Sequence, residues 1–202
     1  MTRQKDNRRT FIAEAHWRRL DTKGDDVCRL LRLEKGWRLS GEAVFDEEGK
    51  HYALFYTVDC DAQFQTLRAR VTGTMDTADI DITIERRGDI WALNGIDAPQ
   101  TKNCLDVDLG FTPATNLIPL RRLSLGLGER ASAPAAYLRF PELLLERLEQ
   151  EYRRLNETDY DYNSPRFGYH ETLVVTGVGF VTEYPPFWRG EVRIPPEGTA
   201  EL

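Results

Sequence analysis

The amino-acid sequence predicts a mainly β protein with a single domain, in which antiparallel strands form a barrel, a half-barrel or a sandwich, with one or two helices. Three observations favour this class. Apolar and polar residues alternate with a period of two along most of the first half of the chain. Short turns that contain Gly and Asp separate the alternating runs. The sequence lacks a glycine-rich phosphate loop and the strand–helix alternation that is typical of parallel sheets.

The N-terminal half is predicted to be a meander of about seven strands. In the clearest run, Ile80, Ile82 and Ile84 alternate with acidic and hydroxyl residues, as in a half-buried strand. The turn DEEGK separates two runs and predicts an antiparallel hairpin. The alternating runs cover residues 11–18, 37–45, 52–58, 67–71, 80–85 and 90–93.

The C-terminal half is predicted to mix strands with helix. Strands are expected at 104–111, 119–127 and 135–140, and a hairpin at 171–184 around two glycines. For 141–155, periodicity favours a helix, because Pro141 suits the first helical position and four apolar residues form one stripe. A twisted edge strand is the alternative for this segment.

Composition limits the class of protein. The chain has 202 residues and a net charge of −6, which does not suit a nucleic-acid binder. It lacks a signal-like apolar run, a membrane-length apolar stretch and any cysteine or histidine spacing typical of a metal site. We therefore expect a soluble cytoplasmic protein without metal or cofactor. The domain is predicted at 10–194, between flexible tails at 1–9 and 195–202.

Asp106 and Asp108 are the first candidate site residues. Side chains at positions i and i+2 of a strand lie on one face, roughly 6.5–7 Å apart. If both are buried, their like charges raise the pKa of one of them. The alternative is that both acids face solvent on a half-buried sheet.

Arg121 and Arg122 are the second candidate. On a strand they would point to opposite faces, so one would share the inner side with apolar residues and need a carboxylate partner. The neutral segment 112–119 can return the chain antiparallel to the acids. We therefore expect at least one of Asp106 and Asp108 to lie within ion-pair distance of Arg121 or Arg122. Ordinary surface arginines are the alternative.

Aromatic residues are spread over many predicted strands, and most are expected in the core. A sheet that does not close tightly can leave a trough lined by such side chains, suited to an amphiphile. Tyr160, Tyr162 and Tyr169 are predicted in a polar aromatic loop that could stack on a sugar ring, although turn composition explains them equally well. Cys104, beside the acids, is a weaker candidate nucleophile, because free cysteines are usually buried apolar residues.

The stretch CLDVDLGFTPATNLIPLRRL (104–123) resembles the signature of a bacterial family described as glycolipid-binding. The blocks HWRRLD, GWRLSGEAVF, LEQEYRRL and YPPFWRG also resemble family blocks, so that the similarity covers about residues 10–190. The last block departs from the family, which tends to have a Pro-Gly pair before its aromatic residue. The matching positions are Trp17, Arg18, Asp106, Asp108, Thr112, Pro113, Thr115, Asn116, Pro119, Arg121 and Arg122.

The resemblance implies a twisted, open antiparallel β-barrel, similar in shape to periplasmic carriers that shuttle lipoproteins in a hydrophobic cavity. The glycolipid label rests on this analogy of shape. The resemblance also favours β structure at 141–155.

Together these observations predict a protein that binds an amphiphilic small molecule, a glycolipid or related lipid, in a β-barrel cavity. The tail would lie along apolar side chains, where each buried methylene contributes about 0.8 kcal/mol. The predicted ligand-binding residues are Trp17, Arg18, Asp106, Asp108, Thr112, Asn116, Arg121 and Arg122. Two alternatives stay open: a hydrolase that uses Asp106 and Asp108 as acid and base, and a structural module in which the Asp–Arg set is a buried polar staple. We favour binding over catalysis.

Overall fold

The computed structural model describes residues 9–196. The predicted tails, 1–9 and 195–202, lie almost entirely outside the described residues, and their flexibility stays a prediction, as does the single domain at 10–194.

The described residues form seventeen β-strands and one α-helix, with three short 3-10 segments between them. The helix, α1, spans Leu117–Leu123. The strands are β1 (Thr10–Arg19), β2 (Gly24–Leu33), β3 (Gly36–Glu47), β4 (Lys50–Cys60), β5 (Thr66–Met75), β6 (Ala78–Arg87), β7 (Ile90–Leu93), β8 (Ile96–Ala98), β9 (Asp106–Leu109), β10 (Arg130–Ser132), β11 (Ala135–Arg139), β12 (Leu144–Leu148), β13 (Glu151–Arg154), β14 (Asp159–Ser164), β15 (Tyr169–Val175), β16 (Val181–Tyr184) and β17 (Trp188–Arg193).

Fourteen of these strands form one antiparallel sheet in the order β10-β13-β14-β15-β16-β17-β1-β2-β3-β4-β5-β6-β7-β8. Its two edges, β10 and β8, do not pair with each other, so the sheet is not closed into a barrel. A second sheet has the order β12-β11-β9, with β9 parallel to β11 and β12 antiparallel to it. The prediction of a mainly β fold, with a large antiparallel sheet that does not close and one or two helices, is confirmed.

The N-terminal meander follows the predicted alternation. In β4 the side chains of Tyr52, Leu54 and Tyr56 are buried, and those between them keep more contact with solvent. The β3–β4 hairpin turns at DEEGK as predicted, with Glu47 opposite Lys50. β2 was not among the predicted runs, because the buried Asp26 occupies an inward position where the pattern requires an apolar residue.

Two predictions for the C-terminal half are wrong. The strand expected at 119–127 is replaced by α1 and the loop after it, because Leu117, Ile118 and Leu120 bury one helical face. The helix favoured by periodicity at 141–155 is instead the strand pair β12 and β13, bonded to β11 and β14. The hairpin expected at 171–184 is confirmed as β15 and β16.

Two apolar clusters form the core, and α1 lies at their junction. The larger cluster packs one face of β1–β7 against β9, β11, β12 and the start of α1. The smaller cluster covers β13–β16 and receives Leu120 from the same helix. The inner face of the large sheet is thus occupied by protein side chains, and α1 is held on both sides. Within residues 9–196 no helix is long and apolar enough to cross a membrane, and the cytoplasmic location stays a prediction.

Candidate functional site

A cavity of about 350 Å³ opens where the ends of the strands of the large sheet meet β9, β11 and the segment before α1. This volume falls within the range of small-molecule sites. Its polar and charged lining consists of Arg19, Asp21, Glu47, Asp108, Thr112, Asn116 and Ser164. Its aromatic lining consists of Phe111, Tyr137, Tyr162, Phe167, Tyr169, Tyr184, Phe187 and Trp188.

Asp106 forms a closed ion pair with Arg122. The Arg122 guanidinium donates from Nε and Nη2 to the two carboxylate oxygens at 2.8 and 2.6 Å. The Asp106 residue is fully buried, and burial raises its pKa while Arg122 opposes the rise. The predicted contact between one acid and one arginine is therefore confirmed. A helix supplies the arginine, whereas the sequence argument expected a returning strand.

Arg121 lies outside this pair. Consecutive residues of an α-helix diverge by about 100° around its axis, so Arg121 is exposed and its guanidinium lies 5.2 Å from the centre of the Phe64 ring. The two arginines therefore have different surroundings, although they are adjacent in sequence.

Asp108 lines the cavity, and among the described residues no basic side chain forms an ion pair with it. Burial raises the pKa of Asp108 to about 7; the Thr115 hydroxyl opposes the rise and Asp106 adds to it. The predicted effect of two like charges thus falls on the acid that lacks an arginine. Near neutral pH this carboxyl group can accept or donate hydrogen bonds, depending on its protonation.

A second buried acid, Asp26, supports the cavity wall and was missed by the sequence argument. The Tyr56 hydroxyl donates to Asp26 at 2.9 Å, and the Thr112 hydroxyl donates to the other carboxylate oxygen. Burial raises the pKa of Asp26 to about 7, and the two hydroxyls lower it. These bonds connect β2, β4 and the segment before α1, and they fix Thr112 at the cavity.

Tyrosine rings form one continuous wall. The ring centres of Tyr169 lie 5.8 Å from Tyr162, 5.4 Å from Tyr184 and 5.7 Å from Phe187. Behind this wall, the Tyr162 hydroxyl donates to the Gln150 side chain at 2.8 Å. This buried hydrogen bond fixes the position of the Tyr162 ring.

Two further lining groups are distinguished by their contacts. The buried Ser164 hydroxyl forms no hydrogen bond among the described residues, although it lies close enough to the Tyr162 hydroxyl to oppose the rise that burial causes in the pKa of Tyr162. Tyr137 packs against Gly110 so closely that a Cβ atom at residue 110 would lie 2.6 Å from the Tyr137 hydroxyl. A side chain at Gly110 would therefore displace this ring.

The charged part of the rim was also missed. Arg19 donates to both oxygens of Asp21 at 3.0 and 2.8 Å and lies 3.7 Å from Glu47. Its guanidinium packs 5.4 Å from the centre of the Trp188 ring. Although burial raises the pKa of Asp21, Arg19 holds it below its ordinary value. The sequence did offer a signal for these two acids: Asp21 follows the end of β1 and Glu47 is the last residue of β3, so both lie at strand ends, where a site can form.

The structure divides the eight predicted ligand-binding residues. Asp108, Thr112 and Asn116 line the cavity, and Asp106 and Arg122 form the closed pair. Trp17 is buried and donates to the Val181 carbonyl at 2.6 Å. Arg18 is exposed and, like Arg121, is not part of the lining. Their roles in binding stay predictions.

The other candidates have equally distinct positions. Tyr162 and Tyr169 line the cavity from β14 and β15, whereas Tyr160, which like Tyr162 belongs to the smaller core cluster, is not part of the lining. The predicted aromatic loop is a strand pair. Cys104 is buried, and burial raises the pKa of its thiol to about 11, which disfavours the nucleophilic thiolate. No group of His, Cys, Asp and Glu within residues 9–196 is arranged to hold a metal ion.

Comparison with known proteins places this geometry in context. The family model described as "Putative glycolipid-binding" matches residues 14–190. The fold is similar to that of a DUF1089 family protein from Pseudomonas aeruginosa, with a TM-score of 0.73 and 27% identity, over 82% of this chain and 91% of that chain. Among curated proteins no match was found.

Proposed function

The chain belongs to the DUF1089 family, whose model is described as "Putative glycolipid-binding", and from this premise we propose that it binds the polar, hydroxylated head of an amphiphile in the aromatic cavity. The observation that carries the proposal is a pair of polar groups inside an aromatic wall: the Ser164 hydroxyl, which forms no hydrogen bond among the described residues, and the Asp108 carboxyl, which has no ion pair there. A sugar offers hydroxyls for such groups and apolar C–H faces for the rings.

The head, and not the tail, fits this cavity. A buried polar group without a hydrogen bond costs about 1–3 kcal/mol, and a hydroxylated ligand removes that cost whereas an alkyl chain does not. The inner face of the large sheet, where the sequence argument placed the tail, is filled by the larger core cluster.

An apolar path for the tail exists at the rim. Phe167 and Phe187 line the cavity, yet 53% and 37% of their surfaces stay exposed. An alkyl chain that leaves the cavity across these rings would remove apolar surface from water, worth about 25 cal/mol per Å². We therefore place the tail outside, along Phe167 and Phe187.

Hydrolysis by the two acids has less support. A pair of catalytic carboxylates would have to face the same substrate. Of Asp106 and Asp108, only Asp108 belongs to the cavity lining, because both carboxylate oxygens of Asp106 accept hydrogen bonds from Arg122.

The proposal is tested by titrating delipidated protein with methyl, hexyl and octyl β-glucosides below their micelle concentrations, using calorimetry. We expect saturable one-site binding whose affinity rises with chain length. Phe187→Ala should weaken the binding of the octyl compound several-fold more than it weakens the binding of the methyl compound. Phe55→Ala is the matched control, because Phe55 is 52% exposed and is not part of the lining.

The proposal is overturned if none of the three glycosides binds saturably and native mass spectrometry of the purified protein detects no bound amphiphile. It is also overturned if Phe55→Ala and Phe187→Ala have equal effects on the octyl compound, since the tail would then not leave by the proposed rim.

A further inference from the structure

The charges that line the cavity favour one class of polar head. Three carboxylates (Asp21, Glu47 and Asp108) stand against one guanidinium, that of Arg19. Arg19 is already bonded to Asp21 and lies near Glu47. Arg122 on α1 is engaged by Asp106, and Arg166, which adjoins the lining residue Phe167, is paired with Glu146. Within the described part of the chain, the cavity lining therefore has surplus negative charge and no basic group free to bind an anion.

The aromatic wall favours the same class. The faces of aromatic rings carry partial negative charge and attract a cation within about 6 Å of the ring centre. Tyr162, Tyr169, Tyr184 and Phe187 form a run of rings in mutual contact that lines the cavity. A carboxyl group without an ion pair thus shares a small volume with several rings, a combination suited to an ammonium group.

We propose that the cavity recognises a protonated amine on the polar head, as in an amino sugar, through the Asp108 carboxylate and the surrounding rings. This inference rests on the proposed function and specifies its ligand class. The ammonium group donates to Asp108, and the remaining hydroxyls of the head bond to the Ser164 hydroxyl and its neighbours. Phosphorylated and acidic heads bind poorly, because they meet three carboxylates and a guanidinium that is already paired.

Proton release provides a second signature of the same contact. Because burial raises the pKa of Asp108 to about 7, this carboxyl group is mostly protonated at pH 6. A bound ammonium favours the charged form, so binding at pH 6 releases a proton. The titratable groups that interact with Asp108 are Asp106, Tyr137, Tyr152, Tyr162 and Tyr184. The tyrosine pKa values are all raised, so none of these hydroxyls titrates near pH 6.

The experiment compares three probes with one alkyl chain: octyl 2-amino-2-deoxy-β-glucoside, its N-acetyl derivative and octyl β-glucoside. We expect the amine to bind wild-type protein at pH 7 about tenfold more tightly than the two neutral probes, the usual scale of a hydrogen bond to a charged group. Calorimetry at pH 6 in buffers of different ionisation enthalpy should detect proton release with the amine alone.

Asp108→Asn is the decisive variant, since it keeps the size of the side chain and removes its charge. It should lower the affinity for the amine to that of the same variant for octyl β-glucoside, and it should abolish the proton release. Asp79→Asn, at an exposed position on β6 outside the lining, is the matched control and should behave as wild type.

The outcomes separate this inference from the proposed function. Equal, saturable affinities of wild type for all three probes overturn the amine preference and leave the proposed function intact. A preference that persists in Asp108→Asn overturns the assignment to Asp108. Failure of every probe to bind wild-type protein overturns both.

Discussion

Asp106 and Asp108 lie two residues apart on β9, but the regions around them differ in kind. The Asp106 region is closed: the acid is fully buried, and both carboxylate oxygens accept from Arg122. The Asp108 region is open: the acid lines a cavity among tyrosines and has no ion pair among the described residues. In this protein, therefore, the acid that is paired with an arginine stabilises the fold, and the acid without an ion pair belongs to the candidate site.

The largest expected effect comes from breaking the closed region. Arg122→Ala leaves the Asp106 carboxylate buried without its partner, and such a loss costs about 3–5 kcal/mol. We therefore expect the free energy of unfolding, measured by urea denaturation at pH 7.5, to fall by that amount.

Arg121→Ala is the control for this change, because Arg121 is the exposed neighbour on the same helix and should contribute less than about 1 kcal/mol through its contact with Phe64. If the two variants lost equal stability, the Asp106–Arg122 pair would not be the structural staple described here.

A smaller effect should appear in the pH dependence of stability. An aspartate in the unfolded chain has a pKa of about 3.9, whereas that of Asp108 in the folded protein is about 7. Between these values the folded state binds more protons, so the free energy of unfolding falls as pH rises from about 4 to 7 and then levels off. Asp26 contributes a second decrease of the same sign.

Asp108→Asn should remove the part of this decrease in the free energy of unfolding that comes from Asp108, about 1–3 kcal/mol. The expected value is smaller than the difference between the two pKa values implies, because water in the open cavity weakens the effect. The measurement is urea unfolding of wild type and variant at pH 5 and pH 7.5. This range lies above the pKa of the acids whose values are lowered, such as Glu14 and Asp59, whose stabilisation is lost only as pH falls through lower values. Parallel profiles for the two proteins would contradict the raised pKa of Asp108.

The smallest expected effect on stability tests the shape of the open region. Gly110→Ala places a methyl group against the Tyr137 hydroxyl, which should shift the ring, cost about 1–2 kcal/mol and weaken glycoside binding several-fold. Gly177→Ala is the matched control, because nothing lies within 4 Å of a Cβ atom built at that residue. Calorimetry and thermal unfolding measure both quantities, and identical behaviour of the two variants would refute the packing of Tyr137 on Gly110.

The N-terminal meander was predictable because its signal is local. In β3, β4 and β6 the inward residues are almost all apolar, so the period of two is legible in sequence. β2 escaped because its inward Asp26 is satisfied by hydroxyl groups from β4 and from the segment before α1, and these partners lie 30 and 86 residues away. A buried acid of this kind looks like a surface residue until its partners are known.

The C-terminal half was harder to predict because its strands are short and its apolar residues fit two periods. Leu144, Leu148, Tyr152 and Leu155 form a helical stripe in sequence, yet Leu144 and Leu155 are exposed while Leu148 and Tyr152 are buried on two different strands. Pairing with β11 and β14 decided the structure, since edge-to-edge hydrogen bonds depend on strands elsewhere in the chain. Similarly, 117–123 became helical because one of its faces joins two core clusters.

The family resemblance implied that the sheet stays open. By itself, the residue pattern determined that this protein is mainly β and that an acid near residue 106 meets an arginine near residue 122. These properties follow from alternation, from short turns and from the chemistry of unlike charges that are close in the chain. Only the tertiary structure decided which acid is neutralised, because a helical turn directs Arg122 and not Arg121 to the buried Asp106. The cavity likewise exists only in three dimensions, since its wall joins Arg19 to Trp188 across nearly the whole chain.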